Sequence, residues 1–219
     1  MSQVFIIGGA GQVGRRLSQI LTDRGFAVRA LFRKPVQETL LRQSGAEPVR
    51  GSLTELNAAA LAAHLKGSDI VVFTAGAGGK GGPEMTNAVD GEGLKTAVDA
   101  ALQAGVSRFL LVSAFPEASR GQPVSDTFEN YMRVKKMADV ALAQSDLDWV
   151  ILRPGTLRDD PGTGLVRAGL AIPYGDVSRD DVAATLAEII EHPGVSRVII
   201  ELTAGEDPVR EAVQKMAGH

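Results

Sequence analysis

One segment limits the possible folds of this chain more than any other: Val4-Phe-Ile-Ile-Gly8-Gly-Ala-Gly11-Gln-Val-Gly14-Arg15. An apolar run stops at a glycine, more glycines follow at once, and an amphipathic pattern begins before they end. The spacing satisfies GxxGxxG through Gly8, Gly11 and Gly14, and GxGxxG through Gly9, Gly11 and Gly14. A strand-to-helix turn of this kind uses one glycine for the tight reversal, one for close approach of the backbone to an anion, and one for helix-on-sheet packing. Val13, Leu17, Ile20 and Leu21 share one face of the helix that follows, and Gly25 is placed to cap its end. In this context the free N–H groups and dipole of the helix N-terminus hold a pyrophosphate. The competing reading is a structural turn with no ligand.

The same alternation continues down the chain. Short apolar runs at 3–7, 27–32, 47–50, 70–74, 108–113, 149–153 and 197–202 read as strands, several without polar alternation, as strands buried on both faces should be. Helical patterns separate them: Leu94, Val98, Ala101 and Leu102 lead to a glycine cap at Gly105, and Ser178-Arg-Asp-Asp181 has capping-box spacing before 182–190. The expected architecture is α/β: a Rossmann-type, doubly wound, mostly parallel sheet of about seven strands with helices on both faces, formed by residues 1–219 as one domain. The glycine-rich stretch Gly76-Ala-Gly-Gly-Lys-Gly-Gly82 and the segment 116–126 are expected to be loops following strand C-termini, where open α/β sheets bind ligands. Loops near 76–90, 114–127 and 155–178 would wall a substrate pocket.

Composition narrows the chemistry. The chain has no cysteine, which rules out disulfides, zinc–thiolate sites and thiol nucleophiles. His64, His192 and His219 lack metal-ligand spacing, so no metal is expected and they read as surface residues. A formal net charge of −3 argues against a general nucleic-acid surface. Neither a secretory signal pattern nor an apolar run of membrane-spanning length is visible, so the expectation is a cytoplasmic protein with a small-molecule partner, no nucleic acid and no membrane. It would act as a monomer or homodimer. Trp149 reads as core, and Asp159 and Asp160 as turn residues before Pro161.

The end of the second strand bears on which dinucleotide fits. Sites for NAD place an acid there to accept from the ribose 2′-hydroxyl. This chain has Ala30-Leu31-Phe32-Arg33-Lys34 instead, with cations where the acid would be. Arg33, with Arg15 beyond the glycine loop, can clamp a 2′-phosphate, which favours NADP(H) over NAD(H). The other reading is an ordinary solvated strand end.

A second constellation lies further along. Ser113 ends the fifth apolar run, and Tyr131-Met-Arg-Val-Lys135 puts Tyr and Lys on one helix face. A neighbouring ammonium lowers a phenol's pKa, so Tyr131 can serve as general acid or base while Ser113 holds a substrate oxygen. Tyr131 can equally be a half-buried packing residue.

Taken together, Gly8-Gly-Ala-Gly-Gln-Val-Gly14, Leu31-Phe-Arg33, Phe109-Leu-Leu-Val-Ser113, Tyr131-Met-Arg-Val-Lys135, Leu152-Arg-Pro-Gly155 and Asp159-Asp-Pro-Gly-Thr-Gly164 resemble the short-chain dehydrogenase/reductase superfamily. The resemblance covers almost the whole chain. It is to the atypical, extended-like branch, which holds NAD(P)-binding epimerase-like proteins and small NADPH-dependent biliverdin and flavin reductases. It implies that Gly8, Gly11, Gln12, Val13 and Gly14 line the pyrophosphate, Arg33 the 2′-phosphate, and Ala75 and Gly76 the adenosine ribose. Lys135 would bond the nicotinamide ribose, Pro154, Gly155 and Thr156 would flank the nicotinamide, and Ser113 and Tyr131 would be the catalytic pair.

The chain departs from the family pattern at Gly51-Ser52-Leu53, where Gly-Asp usually meets the adenine. Ser52 can still hydrogen-bond, which keeps Ser52 and Leu53 as adenine contacts. Three functional readings remain open at this point: an NADP(H)-dependent oxidoreductase using Tyr131, hydride transfer to a flavin or quinone without it, and a non-catalytic NADP(H) sensor. Nucleotide-sugar chemistry is disfavoured, because the chain after Arg153 is too short for the large sugar-gripping lobe of extended enzymes.

Overall fold

The computed structural model describes residues 2–115 and 123–218. The first half is β1 (Gln3–Ile7), α1 (Gln12–Asp23), β2 (Ala27–Phe32), α2 (Val36–Gln43), β3 (Glu47–Arg50), α3 (Ala58–Leu65) and β4 (Ile70–Phe73). A continuous helix follows, running from α4 (Gly82–Thr86) through a π-helical stretch, Asn87–Glu92, into α5 (Gly93–Ala104). Then come β5 (Arg108–Val112), α6 (Asp126–Ala143), β6 (Asp148–Pro154), β7 (Thr156–Arg158), β8 (Leu165–Gly169) and β9 (Asp176–Ser178). The last elements are α7 (Arg179–Glu191), β10 (Val198–Ala204), β11 (Asp207–Pro208) and α8 (Val209–Gln214).

The sheet has nine strands in the order β11-β8-β10-β6-β5-β4-β1-β2-β3, against about seven expected. All seven expected strands are present and pair in parallel. The two extra strands extend the β10 edge, where β8 pairs antiparallel with both β10 and β11. They left little trace in the sequence because β8 fully buries only Val166 and β11 is two residues long. β7 and β9 form a separate parallel pair.

The pleat divides each apolar run between two cores. Val4 and Ile6 of β1 join Ile70 and Val72 of β4 on one face, under α1, α7 and α8. Phe5 and Ile7 join Val71 and Phe73 on the other, under α3, α5 and α6. Full burial of a side chain of this size contributes about 1.5–3 kcal/mol, so continuous apolar strands are what a two-faced sheet requires. Trp149 is half-buried against the second core rather than enclosed in it. Among the described residues, no helix is long and apolar enough to cross a membrane.

Helix ends match their local signals. Gly25 takes φ +83° and its N–H bonds Thr22 O, while Phe26 N reaches Leu21 O, which closes α1. Ser178 caps α7 through Asp181 N at 2.9 Å. The buried Asp181 carboxylate accepts from the Ser178 hydroxyl and also from Thr163 N and Gly164 N, tying the turn after β7 to α7. Asp159 lies in that turn, as expected, and accepts from Gln12 and Arg179.

The end of β6 tolerates no side chain. Gly155 N donates to Leu202 O, Thr156 N donates to Gly175 O, and a Cβ on Gly155 would sit 1.9 Å from that Gly175 oxygen. Gly155→Ala should therefore lower stability by about 2–3 kcal/mol, read from the urea midpoint. An unchanged midpoint would contradict this packing.

Candidate functional site

The chain winds outward from β1 through β2 to β3, then crosses back to β4 on the other side of β1. The crevice at the C-terminal ends of β1 and β4 is the topological switch point where open α/β sheets take ligands. Each glycine of the turn there has a distinct duty. Gly8 has φ +85°, and a Cβ on it would lie 2.5 Å from Ala75 N. Gly9 rests on the Ala30 methyl of β2, and Gly14 packs against Gly8 O and Gly9. Gly11 is the least crowded of the four, though a Cβ on it would still lie 3.1 Å from Gly8 O. The first helical hydrogen bond runs from Arg15 N to Gly11 O, so the amides of Gln12, Val13 and Gly14 open the helix without a carbonyl of their own. Such amides hold an anion.

A cavity of about 340 Å³ fills this crevice, a size suited to a small ligand. Gly8, Gly11, Arg33, Ser52, Leu53, Ala75 and Gly76 all line it, so the structure brings two residues expected at the pyrophosphate together with those expected at the 2′-phosphate, adenine and ribose. The Ser52 hydroxyl is shared with Thr54 at 2.9 Å. Arg15 does not join them. Its guanidinium reaches Gln12 Oε1 at 3.5 Å and its Nε is buried without a partner, so the expected Arg15–Arg33 clamp is not assembled. Val13 turns its side chain into the core, leaving only its backbone for a ligand.

At the other end of the sheet's C-terminal edge lie Ser113, Tyr131 and Lys135. Lys135 is 3% exposed, with Nζ donating to Val112 O at 3.0 Å and lying 3.5 Å from the equally buried Asp90 carboxylate. The π-helical stretch carries Asp90 to this point, and its second oxygen accepts from Ala77 N at 2.9 Å. π-turns inside helices often mark functional positions. The Ser113 hydroxyl is buried without a well-formed hydrogen bond and adjoins the Asp139 carboxylate on α6. Asp139 is paired with Arg153 of β6 at 2.8 Å. Burial raises its pKa, and the Ser113 hydroxyl, Arg153 and Lys135 oppose that rise.

Tyr131 departs from expectation. Burial, with the charges of Asp90 and Asp139 and the neighbouring Tyr174, pushes its phenol up to about 12. An ammonium was expected to pull it down, but the Lys135 charge is already spent on Asp90 and a carbonyl. No hydrogen bond joins Tyr131 to Ser113 or Lys135 among the described residues. Tyr131 instead tilts against Phe128 at a ring distance of 6.5 Å.

The residues after β6 face the same edge. Thr156 Oγ1 and the Tyr174 hydroxyl are 2.6 Å apart, and the Tyr174 ring meets Phe115 edge-on at 5.3 Å. Pro154 ends β6, and Gly155 is held as described above. The expected pocket walls need correction. Residues 82–90 are helical, and 155–178 contain β7, β8 and the whole of β9. The loop expected at 116–126 ends earlier, because Ser125 caps α6 and Asp126 begins it; 116–122 lie outside the described residues, as does His219.

Sequence reasoning missed Lys80, Asp90, Asp139 and Tyr174. Asp90 and Asp139 look like ordinary polar positions on helices, and only packing shows that both are buried. Lys80 sits in a stretch read as flexible loop, yet it lines the cavity. Tyr174 is brought to Thr156 by the β7–β9 pairing, which no local pattern announced. Among the described residues, no cluster of three His, Asp or Glu side chains is arranged to hold a metal ion.

A sequence model for NAD(P)H-binding proteins matches residues 8–193. The chain belongs to that family. It is 39% identical to YhfK of Bacillus subtilis, described as an uncharacterized sugar epimerase, over 98% of this chain and all of that one. A solved structure from Bacillus halodurans, described as a candidate NAD-dependent epimerase/dehydratase, superposes with a TM-score of 0.90 at 28% identity, covering 98% of this chain and 100% of that one. ChuY, an anaerobillin reductase from Escherichia coli O157:H7, superposes with a TM-score of 0.77 at 27% identity over 93% and 97%. These relatives agree with the geometry: the chain is an NAD(P)H-binding protein with an oxidoreductase- or epimerase-like Rossmann fold.

The electrostatics of Tyr131 can be checked directly, because the chain's only other tyrosine is Tyr174. In a Tyr174→Phe background, ultraviolet titration should find Tyr131 ionising far above an ordinary phenol. Adding Asp90→Asn should lower that midpoint, since a removed negative charge no longer opposes the tyrosinate. A midpoint that stays put or rises would contradict the assigned cause.

Proposed function

We propose that the protein is an NADP(H)-dependent reductase that passes hydride between the nicotinamide and a small acceptor, a carbonyl, quinone or flavin-like molecule. The observation that carries this reading is the cavity lining: Arg33 stands where an NAD site places a carboxylate, and no acid lines the cavity. The amides of Gln12, Val13 and Gly14 would hold the pyrophosphate. Arg33 would take the 2′-phosphate, Ser52 and Leu53 the adenine, and Ala75 and Gly76 the ribose. Pro154, Gly155 and Thr156 would border the nicotinamide, which when bound supplies or accepts the hydride.

The protein's own part at the reacting end is orientation and proton supply. Two of the three ammonium protons of Lys135 face Val112 O and Asp90, leaving one for a ribose hydroxyl. Ser113 would orient the acceptor oxygen and Tyr131 would deliver the proton. A phenol raised to about 12 stays protonated at neutral pH, so it can act as donor but is a poor base. That favours the direction of reduction.

The relatives' descriptions name both reductase and epimerase chemistry, and the fold favours the first. After β6, the segments β8, β10, β11, α7 and α8 complete the sheet and one core rather than forming a separate lobe. None of these segments, among the described residues, forms a lobe that would grip a nucleotide sugar. One observation supports a second reading, a cofactor sensor without turnover: burial and carboxylates, rather than a neighbouring ammonium, set the Tyr131 phenol among the described residues.

The readings separate in one series. Fluorescence titration should show NADPH binding more tightly than NADH, and NADPH should be oxidised with members of a panel of quinones, flavins and aldehydes. Tyr131→Phe should lower kcat roughly a hundredfold or more if the phenol delivers the proton. Full activity in that variant would point to hydride transfer without it, and binding with no oxidation would favour the sensor.

A further inference from the structure

We propose that Lys80 is a second cation for the 2′-phosphate of NADP(H), acting with Arg33 from the loop after β4. This rests on the NADP(H) reading and extends it to a residue on a different element of the fold.

The first support is the charge of the cavity. Its lining holds two charged side chains, Arg33 and Lys80, both cationic, together with the amide of Gln37 and the hydroxyls of Ser52 and Thr54. The chain as a whole has more acids than bases, 26 against 23, so a cavity with cations and no carboxylate is not a by-product of composition. Neither the Arg33 guanidinium nor the Lys80 ammonium has an ion-pair or hydrogen-bond partner among the described residues, the Gln37 side chain meeting only the Arg33 and Lys34 backbone, while several other cations near the sheet's C-terminal edge are paired. A phosphate dianion is the ligand that uses two free cations and neighbouring hydroxyls together. A ribose diol would need an acceptor, and no carboxylate lines the cavity.

The second support is how firmly Lys80 is placed. Lys80 N donates to Ala77 O at 3.1 Å, closing a turn whose central residues, Gly78 and Gly79, have φ +62° and +73°. Residues with side chains rarely adopt that backbone twice in succession, so the glycines make this turn possible. Its base is anchored in turn: Ala77 N donates to the Asp90 carboxylate, which is 3% exposed. The loop reads as flexible in sequence, yet a buried charge holds the turn that aims Lys80 at the cavity. The same carboxylate lies against Lys135, so one residue serves both ends of the cofactor site.

The test compares NADPH, NADH, 2′,5′-ADP and 5′-AMP binding by calorimetry to the wild-type chain, Lys80→Gln and Lys80→Arg, with thermal melting as a check on folding. Lys80→Gln should weaken NADPH and 2′,5′-ADP about tenfold and leave NADH and 5′-AMP within about twofold, as expected for one charge-assisted contact at a partly open site. Lys80→Arg should retain most of the NADPH affinity. Equal losses for both members of each pair, or no loss for any, would overturn the role of Lys80. Wild-type protein binding NADH as tightly as NADPH would instead defeat the NADP(H) reading, before any variant is compared.

Discussion

The site depends on the approach of two backbones. The turn after β1 comes so near the start of the loop after β4 that only a glycine fits at position 8, with Ala75 N where a Cβ would need to be. That contact sets the crevice at the switch point, places the free amides of α1 beside it, and brings the loop holding Gly76, Ala77 and Lys80 to its rim. Gly9 and Gly14 serve the same end by letting the helix settle on β2 and on the turn itself. A side chain at any of these positions would push the helix N-terminus away from the sheet and open the anion site.

Asp90 connects this crevice to the reacting end. Its carboxylate is buried, accepts from Ala77 N on one side, and faces the Lys135 ammonium on the other. A buried carboxylate without such partners would be strongly destabilising, so the arrangement is all or nothing: both partners must be in place for the charge to be tolerated. The consequence for Tyr131 is indirect. Lys135 is neutralised by the residue that positions it, and the phenol is left among carboxylates rather than beside a free cation. Asp139 and Arg153 make a similar link beside Ser113, joining α6 to β6 by a pair whose carboxylate is buried and whose guanidinium is partly exposed.

The sheet, its parallel core and the glycine turn were legible because each is written locally. Continuous apolar runs, glycine caps and the Ser178 capping box each depend on residues within a few positions of one another. The added strands β8 and β11 were not, since an edge strand with one buried residue has no periodicity to detect. The lining of the crevice could be read in the same way as the core: Gly8, Gly11, Arg33, Ser52, Ala75 and Gly76 all follow strand ends, and strand ends converge by topology alone. The reacting end could not. Tyr131 and Lys135 share a helix face, but which partner claims the ammonium depends on Asp90, more than forty positions earlier and carried in by a π-helical turn.

By itself, then, the sequence determined a doubly wound sheet, a glycine turn at the start of α1, and a cation at the end of β2 where an acid would mark NAD. Each follows from short-range spacing and from residue types whose backbone or charge permits few alternatives. Tertiary structure alone decided the electrostatics: which cations are neutralised, which carboxylates are buried, and which tyrosine stands next to which charge. Those quantities depend on distances across the fold and on exclusion of water, and neither is encoded in the order of residues along any one element.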